Sequence, residues 1–267
     1  MKVIVTVKQV PDTSGKVAVN PDGTLDRASM QTIINPDDLN AVEAALSLKD
    51  ELGCKVVAFT MGPPPAEGML RELMAMGVDE GVLITAREFG GSDTYATSQI
   101  IAAGIDTYGV DEDDVILAGR QAIDGDTAQV GPQISEHLGL PVISYAQKIR
   151  EVNEAEKYIV VERQYDDRYH VVKAQLPCLL TALAELNEPR YMTPGGIFDA
   201  YAKEITVWGR KDLKEVEDSN LGLKGSPTKI AKASDKVRKG AGEKIVPDSP
   251  EDGAAYIVAK FKEKHII

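Results

Sequence analysis

A doubly wound, mostly parallel α/β sheet is the fold class this sequence predicts, and three observations carry the prediction. Short apolar runs recur through the first half: KVIVTV (2–7), KVVAFTM (55–61), GVLIT (81–85), VILAG (115–119) and PVIS (141–144). Between them lie segments with helical apolar spacing, and glycine follows each. Runs without polar alternation mark strands buried on both faces, the condition of a parallel sheet covered by crossover helices.

The elements follow in order. After the first strand comes a long connection over residues 8–34, of a length that is usually functional or clamps a partner. INPDDLNAVEAALSLKDELG then carries helix signals. Asn35 can cap it, Pro36 suits the first helical position, Asp37 and Asp38 favour the positive helix end, and Gly53 ends it. The second strand leads to GPPPAEGMLRELMAMG, a helix stopped by Gly77. The third leads to GGSDTYATSQIIAAGIDTYG, with Ser92 or Asp93 as cap. The fourth runs into GRQAIDGDTAQVGPQ (119–133), which becomes a helix ending at Leu138 and Gly139, before the fifth strand.

The pattern then changes. KYIVVERQ and RYHVVKAQ alternate by twos around YDD and predict a β-hairpin added to the sheet. PCLLTAL (177–183) is again a buried strand. NEPRYMTPGGIFDAY predicts an irregular surface loop leading to a short helix. Past Trp208 the apolar density falls, and 224–244 carries seven Lys or Arg, so an extended carboxy-terminal arm is expected. EDGAAYIVAKFKEK regains helical spacing, and its apolar face needs its own domain or another subunit to sit on.

Composition narrows the function. A net charge of -12 argues against nucleic acid, whose binders need excess Lys and Arg. Cys54 and Cys178 lack metal-ligand spacing and read as small buried hydrophobes in a reducing compartment. His137, His170 and His265 are scattered, so a metal site is not expected. The amino-terminal run is closed by Lys8 and is too short for a signal peptide, and no run approaches the roughly 20 apolar residues that span a bilayer. A cytoplasmic protein with no membrane insertion is expected.

In an open parallel sheet, ligands bind beyond the carboxyl ends of the strands, where strand order reverses. Here that edge comprises Thr6 to Gln9, Met61 to Pro64, Ala86 to Thr94 and Gly119 to Gln129, with Asn35 to Asp38 beside them. Gly62, Gly90, Gly91, Gly119, Gly125 and Gly131 allow backbone to approach a ligand. Two aspartates would repel a phosphate, so Asp124 and Asp126 are assigned to ribose hydroxyls or to capping a helix that starts near Thr127. Backbone amides, Thr127 and Arg120 would face a pyrophosphate. A capped glycine-rich loop without ligand is the alternative. No nucleophile elbow, placed cysteine or loop histidine supplies a catalytic set, so any chemistry belongs to a bound cofactor or the chain is no group-transfer enzyme.

The segments VKQVPD, NPDDLNAVEAAL, TMGPP, GRQAIDGDTAQVGPQISEHLGLP and LNEPRY together resemble the beta subunit of electron transfer flavoprotein over nearly the whole length. The resemblance implies a Rossmann-like, adenine-nucleotide-binding domain over 1–208 and an arm and helix over 209–267 that pack on an alpha subunit. The alpha subunit holds one FAD. The beta site holds AMP in housekeeping members and a second FAD in electron-bifurcating ones. Nucleotide contacts fall by motif on Thr6, Asn35, Pro36, Asp37, Asp38, Met61, and on Gly119, Arg120, Gln121, Ala122, Ile123, Asp124, Gly125, Asp126, Thr127, Ala128, Gln129 and Val130.

REFGGSDTYATSQ, beside GRQAIDGDTAQVGP, is similar to bacterial and archaeal bifurcating members. It adds Gly90, Gly91, Ser92, Asp93, Thr94 and Thr97 as flavin-site candidates; ordinary helix capping is the alternative for that segment. The bifurcating resemblance implies NADH as donor, with one electron passing through the alpha FAD to a flavin dehydrogenase of acyl-CoA, enoyl-CoA or 2-hydroxy acid type, and the other to ferredoxin or flavodoxin. Residues 188–201 resemble the family's partner-docking loop: Glu188, Pro189, Arg190, Tyr191, Pro194, Ile197 and Phe198. Mitochondrial members have a leucine anchor where this chain has Pro194, and a lysine where it has Asp199, which leaves Ile197 or Phe198 as apolar anchor. A stand-alone ATP- or AMP-binding module of the universal-stress type, which shares the sheet plan, is the competing reading, as is a structural subunit that holds AMP for stability.

Overall fold

The computed structural model describes residues 1–12, 31–213, 216–229, 240 and 242–267. The chain divides into two compact units, Met1–Ala233 and Ser234–Ile267.

In the first unit, β1 (Lys2–Thr6), β4 (Lys55–Met61), β5 (Glu80–Ile84), β6 (Val115–Gly119), β7 (Val142–Asn153), β8 (Tyr158–Gln164), β9 (Tyr169–Gln175), β10 (Cys178–Ala182) and β11 (Ile205–Trp208) form one sheet. Its order is β11-β5-β4-β1-β6-β10-β7-β8-β9. The pairs from β11 to β7 are parallel, and β7-β8-β9 is an antiparallel hairpin addition. A mostly parallel, doubly wound sheet is thus what the structure has.

The helices are α1 (Pro36–Leu52), α2 (Glu67–Met76), α3 (Thr94–Tyr108), α4 (Val130–Leu138), α5 (Pro194–Ala202) and the single turn α6 (Gly222–Gly225). The strands feed both faces by turns. Val3 and Val5 pack into the layer of α1 and α2, while Ile4 packs into the layer of α3 and α4 with Phe59, Ile100, Ile105 and Ile134. Gly53, at φ 70°, closes α1 in the left-handed conformation.

Four features depart from the sequence expectation. The fifth strand runs on to Asn153, because β7 pairs with β10 at its start and with β8 along the rest. β10 enters between β6 and β7, so strands four and five are not neighbours. β11 has no counterpart in the sequence expectation; ITVW follows a short helix and adds a parallel edge to β5. The long connection is bounded by two short strands, β2 (Gln9–Pro11) and β3 (Thr32–Ile34), which pair with each other; the rest of it, 13–30, lies outside the described residues, as do 214–215, 230–239 and 241 of the arm.

Both cysteines are buried, and burial pushes the Cys178 thiol up to about 12, so it stays protonated and unreactive. No helix among the described residues is long and apolar enough to cross a membrane.

In the second unit, α7 (Pro250–Glu263) opens on Ser249, whose Oγ accepts the Asp252 N–H at 3.1 Å. Pro250, Glu251 and Asp252 add the other start signals. None of its residues is buried.

Candidate functional site

The chain builds β1, β4 and β5 outward in one direction, then returns to place β6 on the other side of β1. Strand order therefore reverses between β1 and β6, where Thr6 stands beside Ala118. The two segments that leave these strands, 7–12 and 119–129, flank the crevice in which a doubly wound sheet binds ligands.

The start of α1 splices these two segments together. Asp38 is buried; its Oδ2 accepts the Lys8 N–H at 2.8 Å and its Oδ1 the Gly119 N–H at 3.1 Å. A Cβ on Gly119 would overlap Asp38 Oδ1 and stand 2.6 Å from the Asp38 nitrogen, so the absence of a side chain at Gly119 permits this close packing. Asn35 does not cap α1 with its side chain, contrary to the sequence expectation. Its Nδ2 donates to Gln121 O at 2.8 Å and its Oδ1 accepts the Ile123 N–H at 3.1 Å. A fully buried amide that meets a carbonyl and an N–H of the same loop specifies that loop's shape.

Burial raises the Asp38 carboxyl to about 7; the N–H of Lys8, the Asn35 side chain and the N–H of Gly119 hold it down, while Asp37 pushes it further up. Asp37 is also raised, first by burial, against the attraction of Arg120. Arg120 Nε lies 3.3 Å from Asp37 Oδ2 as an ion pair, yet the geometry is not that of a hydrogen bond, and both atoms are shielded without a partner. A hydroxyl, which both donates and accepts, could supply the hydrogen bond that each atom of this ion pair lacks.

The 119–130 wall is a structured loop. Gly125 N and Asp126 N both donate to Ala122 O, at 3.2 and 2.9 Å. Asp126 and Ala128 each hold φ at 53°, a left-handed conformation that costs an L-residue roughly 1–2 kcal/mol and tends to gather at functional sites. Neither aspartate caps a helix. Asp124 takes Lys8 Nζ at 2.6 and 2.8 Å, and Asp126 Oδ1 accepts Gln121 Nε2 at 2.8 Å. The helix starts at Val130 rather than near Thr127, behind Gln129, which offers no side-chain cap. In the first turn of α4, Pro132 has no N–H and Gln133 N donates to Gln129 O at 3.0 Å, so the N–H groups of Val130 and Gly131 are the ones without an intrahelical partner. Gly131, whose Cβ would stand 2.9 Å from Thr181 Cγ2, lets that helix start sit close on β10.

The second wall is 87–94. Asp93, not Ser92, caps α3: its Oδ1 accepts the Ala96 N–H at 3.1 Å, while Ser92 Oγ donates to Phe89 O at 2.8 Å. Thr94 Oγ1 donates to Gln129 Oε1 at 3.1 Å, so the two walls touch. Met61 ends β4 half-buried on the same edge, and Thr97 lies half-buried in the first turn of α3. Lys8 lies in the edge segment Thr6 to Gln9 but is given no role by residue patterning; its link to Asp124 joins positions 116 residues apart.

The docking candidates separate into two groups. Arg190 is an anchor: its N–H and Nε donate to Glu43 Oε2 at 2.9 Å each, and its Nη2 reaches Glu43 Oε1 at 2.9 Å and Asp50 at 2.8 Å. Asn187 exchanges hydrogen bonds with Asn40 nearby. Beyond it, Thr193 caps α5 and Pro194 is its first residue. Tyr191 and Phe198 project, 92% and 79% exposed, with Tyr201 and Ile197 alongside. Glu188 is exposed and Pro189 half-buried.

A doubly wound, mostly parallel sheet whose strand order reverses between β1 and β6 defines the class, an α/β protein of the open-sheet kind. Residues 22–216 match the electron transfer flavoprotein domain, and the chain belongs to the electron transfer flavoprotein family. Over the full length of both chains it is 53% identical to the acryloyl-CoA reductase electron transfer subunit gamma of Anaerotignum propionicum. It is 51% identical to the electron transfer flavoprotein subunit beta of Clostridium acetobutylicum, and 49% to the caffeyl-CoA reductase-Etf complex subunit CarD of Acetobacterium woodii, each again over the full length of both chains. Its role is that of a beta subunit in electron transfer.

Proposed function

We propose that this chain binds FAD in the crevice between β1 and β6 and, with an alpha subunit carrying a second FAD, works as an electron-bifurcating flavoprotein. The observation that supports the reading is the Thr94–Gln129 hydrogen bond, which brings the FGGSDT segment and GRQAIDGDTAQV into contact at one edge of the sheet. When bound there, the flavin would take a hydride from NADH and deliver its two electrons singly, one through the alpha FAD to a dehydrogenase and one to ferredoxin or flavodoxin.

The chain's own residues bind and orient. Asp37 Oδ2 and Arg120 Nε offer an acceptor and a donor to a sugar or ribityl hydroxyl. The N–H groups of Val130 and Gly131, with Thr127, would hold the pyrophosphate. Asn35, Asp38 and Lys8 hold the loops in place before the ligand arrives, so less ordering cost falls on binding.

Two relatives are named for acryloyl-CoA and caffeyl-CoA reductases. A dehydrogenase acting on an acyl-CoA thioester is therefore the partner proposed, docked on Tyr191, Ile197 and Phe198. The nucleotide domain is assigned to 1–208, and the arm and α7, over 209–267, to the alpha subunit. Ile257, Val258 and Phe261, all exposed, form the apolar face for that contact.

The test is coupled turnover. Purified heterodimer, NADH, ferredoxin, the acyl-CoA-type dehydrogenase and its enoyl-CoA substrate are combined without oxygen. Ferredoxin reduction that requires the enoyl-CoA supports bifurcation; enoyl-CoA reduction with ferredoxin left oxidised would reduce the role to simple electron carriage.

A further inference from the structure

The second wall is held from behind by the chain that leaves the sheet after β11. Ser226 is 5% exposed. Its Oγ accepts the Asp93 N–H at 2.8 Å, donates to Gly222 O at 2.7 Å, and lies 3.2 Å from Gly91 O. Thr228 donates twice to Asp93 Oδ2, from N at 2.9 Å and from Oγ1 at 2.8 Å. Leu223 N donates to Gly90 O at 3.1 Å. The fit is close: a Cβ on Gly222 would overlap Glu88 O and stand 2.8 Å from Gly90 O.

Asp93 consequently has both oxygens engaged, Oδ1 by the Ala96 N–H and Oδ2 by Thr228. Burial pushes its carboxyl up, and these donors pull it below the ordinary aspartate range. A carboxylate so occupied is not offered to a ligand. What the GGSD segment presents to the crevice is its backbone and Thr94, and their placement depends on what grips Asp93.

We infer that Ser226 and Thr228 are positioning residues of the nucleotide site: through Asp93 they fix the Gly90–Asp93 loop against the 119–130 wall, and so latch the first turn of the carboxy-terminal arm to the ligand. The inference rests on the site reading under Proposed function. The latch ties two segments more than 130 residues apart, and nothing in the local sequence of either requires the other.

The experiment uses the full chain in its heterodimer with the alpha subunit. Ser226→Ala removes the acceptor of the Asp93 N–H, Thr228→Val removes a hydroxyl and keeps the N–H, and Thr228→Ser is the conservative control. Hydrogen exchange of the peptide over 90–97 reads the loop, and the rate at which the beta nucleotide is lost on dialysis reads the site. Ser226→Ala should speed loop exchange on the order of tenfold and nucleotide loss several-fold. Thr228→Val should do both to a lesser degree, and Thr228→Ser should match wild type. Unchanged loop exchange in Ser226→Ala and Thr228→Val overturns the latch, and faster exchange with unchanged nucleotide loss overturns its link to the ligand. If Ser226→Ala does not fold, the Thr228 pair, altered at a side chain that faces solvent, decides both points. A wild-type heterodimer with no beta nucleotide would sink the site reading instead; loop exchange then decides the latch alone.

Discussion

Replacing Asp38 with asparagine tests the splice between β1 and β6 through its pH dependence. The carboxyl is raised from 3.8 to about 7 in the folded chain. A raised folded value means the native state holds a proton that the unfolded chain releases. The stability this contributes is fully present below about pH 4 and is lost as pH rises through about 7. Where the folded chain keeps that proton and the unfolded chain has lost it, each step of one in pH removes about 1.36 kcal/mol. The loss slows as the folded carboxyl itself ionises, so between pH 5 and pH 7 the Asp38 contribution should fall by about 2 kcal/mol. Asp38→Asn cannot titrate. Its amide can accept only one of the two N–H groups from Lys8 and Gly119, a loss of about 1–3 kcal/mol that does not depend on pH. Carboxylates away from Asp38 titrate alike in both proteins and cancel in the difference; Asp37, which pushes Asp38 up, adds a smaller change of its own. Urea unfolding at pH 5, 6, 7 and 8 should show the wild-type advantage shrinking by that amount from pH 5 to 7 and then levelling. Two pH profiles that run parallel would refute the reasoning.

Gly119→Ala should destabilise by about 1–3 kcal/mol, since its Cβ meets Asp38; the urea midpoint measures this. Asp124→Ala frees Lys8 and Thr127→Ala removes a hydroxyl proposed for the nucleotide; both should lower beta-nucleotide content of the purified heterodimer, read by chromatography after denaturation, with wild-type content in both contradicting the assignment. Arg190→Met leaves Glu43, a nearly buried carboxylate, without its guanidinium hydrogen-bond donor and should cost about 1–3 kcal/mol, with faster proteolytic cutting near 188–193. Phe198→Ala removes an exposed ring, so its stability should stay within about 0.5 kcal/mol of wild type while electron transfer to the dehydrogenase requires several-fold more partner.

Much of the architecture is local and can be read from residues. The apolar runs become β1, β4, β5 and β6 because they are buried on both faces, and period-two alternation marks the β8–β9 hairpin. Gly53, Gly77 and Gly139 end their helices as expected. The insertion of β10 between β6 and β7 is not legible, since partner choice among buried strands depends on the whole sheet. Four residues, ITVW, are too few to show a period for β11. At the carboxyl edge, patterning offers helix caps that the structure does not use. Asn35, Asp124 and Asp126 have the chemistry of caps and sit beside helix starts, yet each is drawn to a partner elsewhere in the loops. The partners of Asn35 and Asp124 are set by tertiary approach and that of Asp126 by its own loop; both compete with helix capping and here prevail. Nor does any sequence signal show that Ser226 and Thr228 meet Asp93.

The most direct test of the account is the cofactor inventory of this chain co-purified with its alpha subunit, with FAD and AMP released by denaturation and counted per heterodimer. The account predicts two FAD and no AMP, the second flavin being lost selectively when Asp124 is replaced by alanine. One FAD with one AMP would contradict it.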